Sequence, residues 1–299
     1  MIVAFKGRLP GGFVDESGRL HREFELAALT GQDEELLAQA RRRESASLVT
    51  KLISRCVSRL GDIQPVSDAI ARQLLVGDRQ YLLLKLRQMT FGDRVHADLF
   101  CPWPECGKRV SIDFGIGDVP VEESVDKGPH YQMVLSSAAA GTEEPGDREI
   151  CFRLPNGSDQ EFVSPLLAEN EARALTLLLM RCVQRVGPSA RISEKQIESL
   201  SPLARKEIEA EMARLAPKVE LDMEMSCPEC GHLFDAPFDL QSFFFGELRA
   251  RSDFLYREVH YLAYHYHWSE REIMEMTVEK RRKYIDVLAD EIEKLNNSD

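Results

Sequence analysis

Two short cysteine knuckles constrain this chain more than any other feature. Cys101 and Cys106 stand in the run CPWPEC, Cys227 and Cys230 in CPEC, and a glycine follows each run. Paired thiols on a glycine-closed turn, between strand-like flanks such as residues 95–100 and 110–114, match the knuckle of a zinc ribbon. Each knuckle offers two ligands and a structural zinc takes four, so both are expected to meet at one ion per chain. Four protein ligands leave no place for a reactive water, so the ion is expected to be structural and not hydrolytic. Redox dithiols, or knuckles without metal, are the alternatives. Cys56, Cys151 and Cys182 lie among apolar residues, and an odd total of seven cysteines suits a reducing compartment better than a disulfide framework.

Sliding the chain against itself explains why the knuckles are so far apart. Cys101 and Cys227 are separated by 126 residues, and the same offset carries RCVSRLG, beginning at Arg55, onto RCVQRVG, beginning at Arg181. It also brings Arg22-Glu23 onto Arg148-Glu149 and Gly31-Gln32-Asp33-Glu34-Glu35 onto Gly157-Ser158-Asp159-Gln160-Glu161. Matches at one fixed offset indicate an internal duplication. Each unit reads as a short strand (24–28; 150–154), a glycine turn, helices, and a hairpin with the knuckle at its tip. Leu48, Leu52, Cys56 and Leu60 recur at helical spacing in the first unit, and 171–186 and 202–215 answer in the second. The expected fold is therefore α+β, with two duplicated helical-plus-β-hairpin units sharing one zinc ribbon and a helical C-terminal arm. The domains are 22–114, a linker or surface excursion at 115–147, 148–238, and the arm at 239–299. The excursion, rich in Gly, Pro, Glu and Ser, is expected to stay outside the core, with one strand at 131–135.

The arm concentrates aromatic residues. Phe243, Phe244 and Phe245 cannot all face one way on a helix, and Tyr264, Tyr266 and Trp268 carry polar tips, so these six are candidate partner contacts. Ser269 and Glu272 form a capping-box pattern that starts a helix at Glu270. His260, His265 and His267 invite a second metal site or a cryptic enzyme site, but on one helix His265 points away from the other two. Asp33-Glu34-Glu35 reads as an acidic first helical turn more readily than as an acid/base pair.

A formal charge of -12, from 50 acidic and 38 basic side chains, disfavours phosphate backbones and anionic membranes. The run Lys280, Arg281, Arg282, Lys283 is the candidate basic contact and reads first as a solvated helix face. The start of the chain does not resemble a signal peptide and no apolar segment is long enough to span a membrane, so the expected location is cytoplasmic. No hydrolase elbow, phosphate loop or dinucleotide fingerprint is present in the sequence.

In their order these residues resemble the T-even-type phage baseplate hub assembly proteins and their relatives in contractile injection systems. The resemblance rests on Leu29-Thr30-Gly31 with Asp33-Glu34-Glu35, Gly77-Asp78-Arg79 followed by the leucine-rich run 82–87, Phe91-Gly92-Asp93, both knuckles, Glu258-Val259-His260, and 264–270 with Glu272-Ile273. It implies a non-enzymatic role in building the hub and baseplate of a contractile tail. The implied partners are baseplate, hub or other tail proteins, with no nucleic acid, membrane or small-molecule substrate. A zinc-ribbon protein associated with nucleic acid is the alternative, which fits the knuckles and conflicts with the acidic balance.

Overall fold

The computed structural model describes residues 5–39, 45–125, 128–167, 169–188 and 193–297. In the first half, β1 (Phe5–Val14), β2 (Leu20–Leu26) and β3 (Val57–Leu60) form an antiparallel sheet in that order. Alternation along β2 turns Phe24 and Leu26 inward, where they meet Leu48, Leu52 and Cys56 from α2 (Ser45–Cys56). Before α2 comes α1 (Gly31–Gln39), whose Asp33 accepts from the Thr30 amide and hydroxyl and pairs with Arg55. The short α3 (Asp68–Gln73) is capped by Ser67 and leads into α4 (Val76–Phe91), which buries Leu82, Leu83 and Leu86 in the same core. A hairpin of β4 (Arg94–Phe100) and β5 (Arg109–Gly115) closes the half.

The second half runs through β6 (Val121–Glu122), β7 (Tyr131–Val134), the short α5 (Ser137–Ala140), β8 (Glu149–Phe152), α6 (Gly157–Leu167), α7 (Glu171–Cys182) and β9 (Val183–Val186). It continues with α8 (Glu194–Ser199), α9 (Pro202–Leu215), β10 (Lys218–Val219) and the hairpin β11 (Asp222–Ser226) and β12 (Leu233–Pro237). Its sheet has the order β7-β8-β9. Strand registers correspond position for position. Phe24 pairs with Leu60 and Glu25 with Arg59, while Ile150 pairs with Val186 and Cys151 with Arg185. In both sheets the register slips at the next residue. Asp159 mirrors Asp33 by accepting from the Asn156 amide and pairing with Arg181, and it adds Arg153. Strand β10 pairs with β6, which joins the end of this half to the segment between the halves.

That segment corrects an expectation. Within 115–147, Ile116 belongs to the first core, and Tyr131, Leu135 and Ala139 are buried in the second. The strand expected there forms as β7 and is part of the core rather than outside it: Tyr131 stacks on Phe152, with ring centres 5.8 Å apart.

In the arm, α10 (Leu240–Ala250) lies on α1 and α4. Phe244 meets Phe91 edge to face, and Glu247 takes a bidentate pair from Arg87 at 2.7 and 3.0 Å. Phe244 and Phe245 are buried, so as partner contacts they are corrected to core residues, and Phe243 packs against the same cluster. Then follow α11 (Ser252–Tyr266), α12 (Glu270–Met274) and α13 (Val278–Asn296), around a small core of Leu255, Val259, Leu262, Ile273 and Met274. Both arms of the Ser269–Glu272 capping box are made. Tyr266 stacks on Trp268 at 4.7 Å and both rings meet Tyr284, whereas Tyr264 is 69% exposed.

Two buried arginines lock these parts together. Arg79 on α4 donates to Thr50 Oγ1, the Ala71 and Ala46 carbonyls and Gln160 of the second half. Arg281 on α13 pairs with Glu34 of the first half and with Glu258, and donates to the Met276 carbonyl. The basic run 280–283 is therefore not a solvated face at Arg281, which is completely buried. Its charge is balanced by Glu34, 247 positions away, and by Glu258 of the same arm, and Lys283 is paired with Glu279 at the surface. The other three residues of the run, Lys280, Arg282 and Lys283, remain exposed.

Candidate metal centre

The knuckles are the tips of the β4–β5 and β11–β12 hairpins. The last rung of each ladder, Phe100 with Arg109 and Ser226 with Leu233, places a cysteine just beyond it. There the Cys101 amide donates to the Lys108 carbonyl at 2.9 Å and the Cys227 amide to the His232 carbonyl at 3.0 Å. Gly107 and Gly231 close the turns at φ of +54° and +74°, in the left-handed region where a side chain is strained. The hairpins lean on each other at both ends. Phe114 and Phe238 meet edge to face at 5.3 Å, and near the tips Trp103 stacks on His232 at 4.2 Å.

The four sulfurs lie within 4.8 Å of one another. The contacts at 3.7 Å are Cys101 with Cys230 and Cys106 with Cys227, each joining one hairpin to the other. A tetrahedron of thiolates with metal–sulfur bonds of about 2.3 Å has edges of about 3.8 Å, so the donor set fits one tetrahedral ion. Cys101 and Cys227 are buried, with Val110 beside them, while Cys230 is exposed. The Cys227 thiol is lowered to about 7, first by the Cys230 amide, with burial opposing and the Glu229 amide assisting. Burial foremost pushes Cys101 up to about 12, with the neighbouring thiols adding to it. Converging thiols resist losing their protons together, and a cation at their centre removes that conflict.

Elsewhere the expectations separate. Among the described residues this is the group of three or more His, Cys, Asp or Glu side chains gathered closely enough for a metal. His260, His265 and His267 do not converge: His267 ends α11 with a φ of +57°, His260 lies beside Tyr264, and His265 meets Tyr261 edge to face. A cleft of about 620 Å³ between the halves is lined mainly by apolar side chains such as Leu75, Leu154, Leu178, Met212 and Phe238. Sequence reasoning placed Arg79 only in a family-like motif and Arg281 only in the candidate basic contact 280–283, and missed that both are buried and join distant parts of the chain. The available signal was their shared position, one turn into a helix that follows a short capped one.

A family model described as T4 bacteriophage base plate protein matches residues 14–245, from the end of β1 into α10. The chain belongs to that family. Both cysteine pairs fall inside the matched region, and most of the arm lies beyond it. Membership points to a structural role in a phage baseplate, contact with other tail proteins and incorporation into a tail particle. No curated protein and no solved structure matches the chain. Among the described residues no helix is long and apolar enough to cross a membrane.

Proposed function

We propose that this chain is a non-enzymatic assembly factor or minor structural component of the baseplate hub of a phage-like contractile tail or injection system, held in shape by one structural zinc. The observation that carries the proposal is a four-sulfur site drawn from two hairpins, inside a stretch matched by a baseplate family. Four thiolates select a soft or borderline cation, and tetrahedral closure suits zinc without leaving a reactive position. Two-stranded hairpins are marginal alone in water, so an ion shared by both supplies stability that their own contacts do not. The matching registers at an offset of 126 residues support two copies of one ancestral unit, 22–114 and 148–238, with 239–299 as the arm. Of the expected aromatic contacts, Tyr264 has the exposure to meet a partner, whereas Tyr266 and Trp268 mostly pack on Tyr284.

The test is assembly. Tails produced without this chain should lack complete baseplates in electron micrographs, and wild-type chain supplied in trans should restore them. A variant with Cys101→Ser and Cys227→Ser should restore them poorly. Complete baseplates in the absence of the chain would overturn the proposed role.

A further inference from the structure

The correspondence between Arg79 and Arg281 extends to a third arginine. Twelve residues beyond the capping serines Ser67, Ser193 and Ser269 stand Arg79, Arg205 and Arg281. Each serine caps a short helix (α3, α8, α12), and each arginine lies one turn into the longer helix that follows (α4, α9, α13). Ala71, Ile197 and Ile273 hold the same position in the short helices, and all three are completely buried.

Two of these three sockets are filled by the start of a helix from elsewhere in the chain. At Arg79, the Gly157 amide donates to the Leu74 carbonyl at 3.1 Å, Gln160 accepts from the guanidinium, and Glu161 accepts from Thr50. At Arg281, the Gly31 amide donates to the Met276 carbonyl at 3.1 Å, Glu34 takes the guanidinium, and Glu35 accepts from Tyr256. Leu74 and Met276 each stand five residues before their arginine. The glycine is a steric requirement. A Cβ at Gly157 would overlap Arg79 Nη1, and one at Gly31 would come within 3.0 Å of Arg281 Nη1.

The Arg205 socket has a similar interior and, among the described residues, no plug. Its Nη1 donates to Thr176 Oγ1 at 3.1 Å, as Arg79 donates to Thr50, and Nη2 donates to the Glu198 carbonyl. Nε, which reaches the plug in the Arg79 socket, is buried with no hydrogen-bond partner among the described residues. The rim is uncovered: Ala172 is exposed where Ala46 is buried, and Leu175 is 38% exposed where Val49 is 3%. Both of this chain's own plugs, at Gly31 and Gly157, are already seated.

We infer that the face of α7, α8 and α9 around Arg205 is a docking site for the first turn of a helix in a neighbouring tail protein, with the pattern Gly-x-Asp-Gln/Glu-Glu. Both plugs share the glycine approach, and the plug on Arg79 is the template for the side-chain contacts, since at Arg281 the plug's Glu34 takes Nη2 while Nε goes to Glu258. A glycine lets its backbone approach the Leu200 carbonyl, a Gln or Glu side chain accepts from Arg205 Nε, and an acidic residue reaches Thr176. The inference deepens the baseplate proposal by naming a surface, and it fails separately: a chain that restores baseplates and takes no such turn keeps its role and loses this site.

A labelled synthetic peptide carrying residues 153–167 is the probe, titrated into the intact chain and followed by fluorescence anisotropy. Saturable binding is expected. Arg205→Ala should weaken it about tenfold, the loss of one charge-assisted contact. Ala172→Arg, on the exposed rim, should block it, and a peptide carrying Gly157→Val should not bind. Unchanged thermal midpoints for both protein variants separate loss of the site from loss of the fold. Absence of saturable binding, or binding indifferent to both protein variants, overturns the inference. Self-association of the wild-type chain that Ala172→Arg abolishes would assign the site to a second copy and overturn the choice of partner.

Discussion

Arg79 in the first half and Arg205 in the second occupy the same place in the same arrangement of helices, yet Arg79 is sealed from water and Arg205 is only partly buried. Their own helices treat them alike, since each guanidinium donates to a threonine on the preceding long helix and to a carbonyl of the short one. The difference is the plug. With five N–H donors, a guanidinium is buried at tolerable cost only when nearly every donor is met. Gln160 completes that set for Arg79, and Glu34 with Glu258 does so for Arg281. An arginine of this kind thus reports whether its socket is filled, and among the described residues the second half carries the open one.

The largest effect is expected at the filled socket between the halves. Arg79→Ala leaves Gln160 and Thr50 facing a void and should cost roughly 3–5 kcal/mol in chemical denaturation. A loss below about 1 kcal/mol would show that the plug does not depend on the guanidinium. Arg281→Ala comes next, at roughly 3 kcal/mol, because it leaves Glu34 and Glu258 without their cation. Its damage should be local, read as faster hydrogen exchange across α11–α13 with the two halves still protected. Uniform acceleration across the chain would mean that the arm and the first half unfold as one unit.

A smaller effect separates the halves by pH. Burial raises Asp78 to about 6, against the Gly11 and Gly12 amides that it accepts from. Its folded state therefore holds a proton more tightly than the unfolded chain. The contribution is fully present below pH 3.8 and is lost as pH rises through about 6. At Asp159, burial also works to raise the carboxyl, but Arg153, the Asn156 amide and Arg181 outweigh it and hold it below 3.8. That contribution is present above 3.8 and lost as pH falls further. Asp78→Asn should remove a gain in stability on acidification from about pH 6 to 4, and Asp159→Asn should flatten the acid limb below it. Exchanged behaviour in denaturation curves would contradict these environments. The smallest change is expected for Arg205→Ala, within about 1 kcal/mol, because its side chain has no plug to hold.

Patterns that act locally were legible before the fold. The knuckles announce their chemistry in a few residues each, the Ser269–Glu272 box forms as its spacing predicts, and the strand at Tyr131 was visible within a polar stretch. What the sequence hid depends on residues far along the chain. Arg281 sits in a run of four basic residues that looks solvated, and the carboxylate that buries it is 247 positions away. Phe244 and Phe245 look excessive for one short helix until α1 and α4 are seen beneath them. The strand β1 carries glycines and a proline that argue against a strand, and Gly11 and Gly12 are held instead by the Asp78 carboxylate.

The claim on which the proposed function most depends is that both halves share one zinc. Metal content measured by mass spectrometry on intact chain, purified without chelator, decides it. One zinc per chain is predicted, falling to near zero when Cys101→Ser and Cys227→Ser are combined, because each hairpin then keeps a single thiolate. A wild-type chain with no bound metal, or a double variant that still holds one zinc, would contradict it.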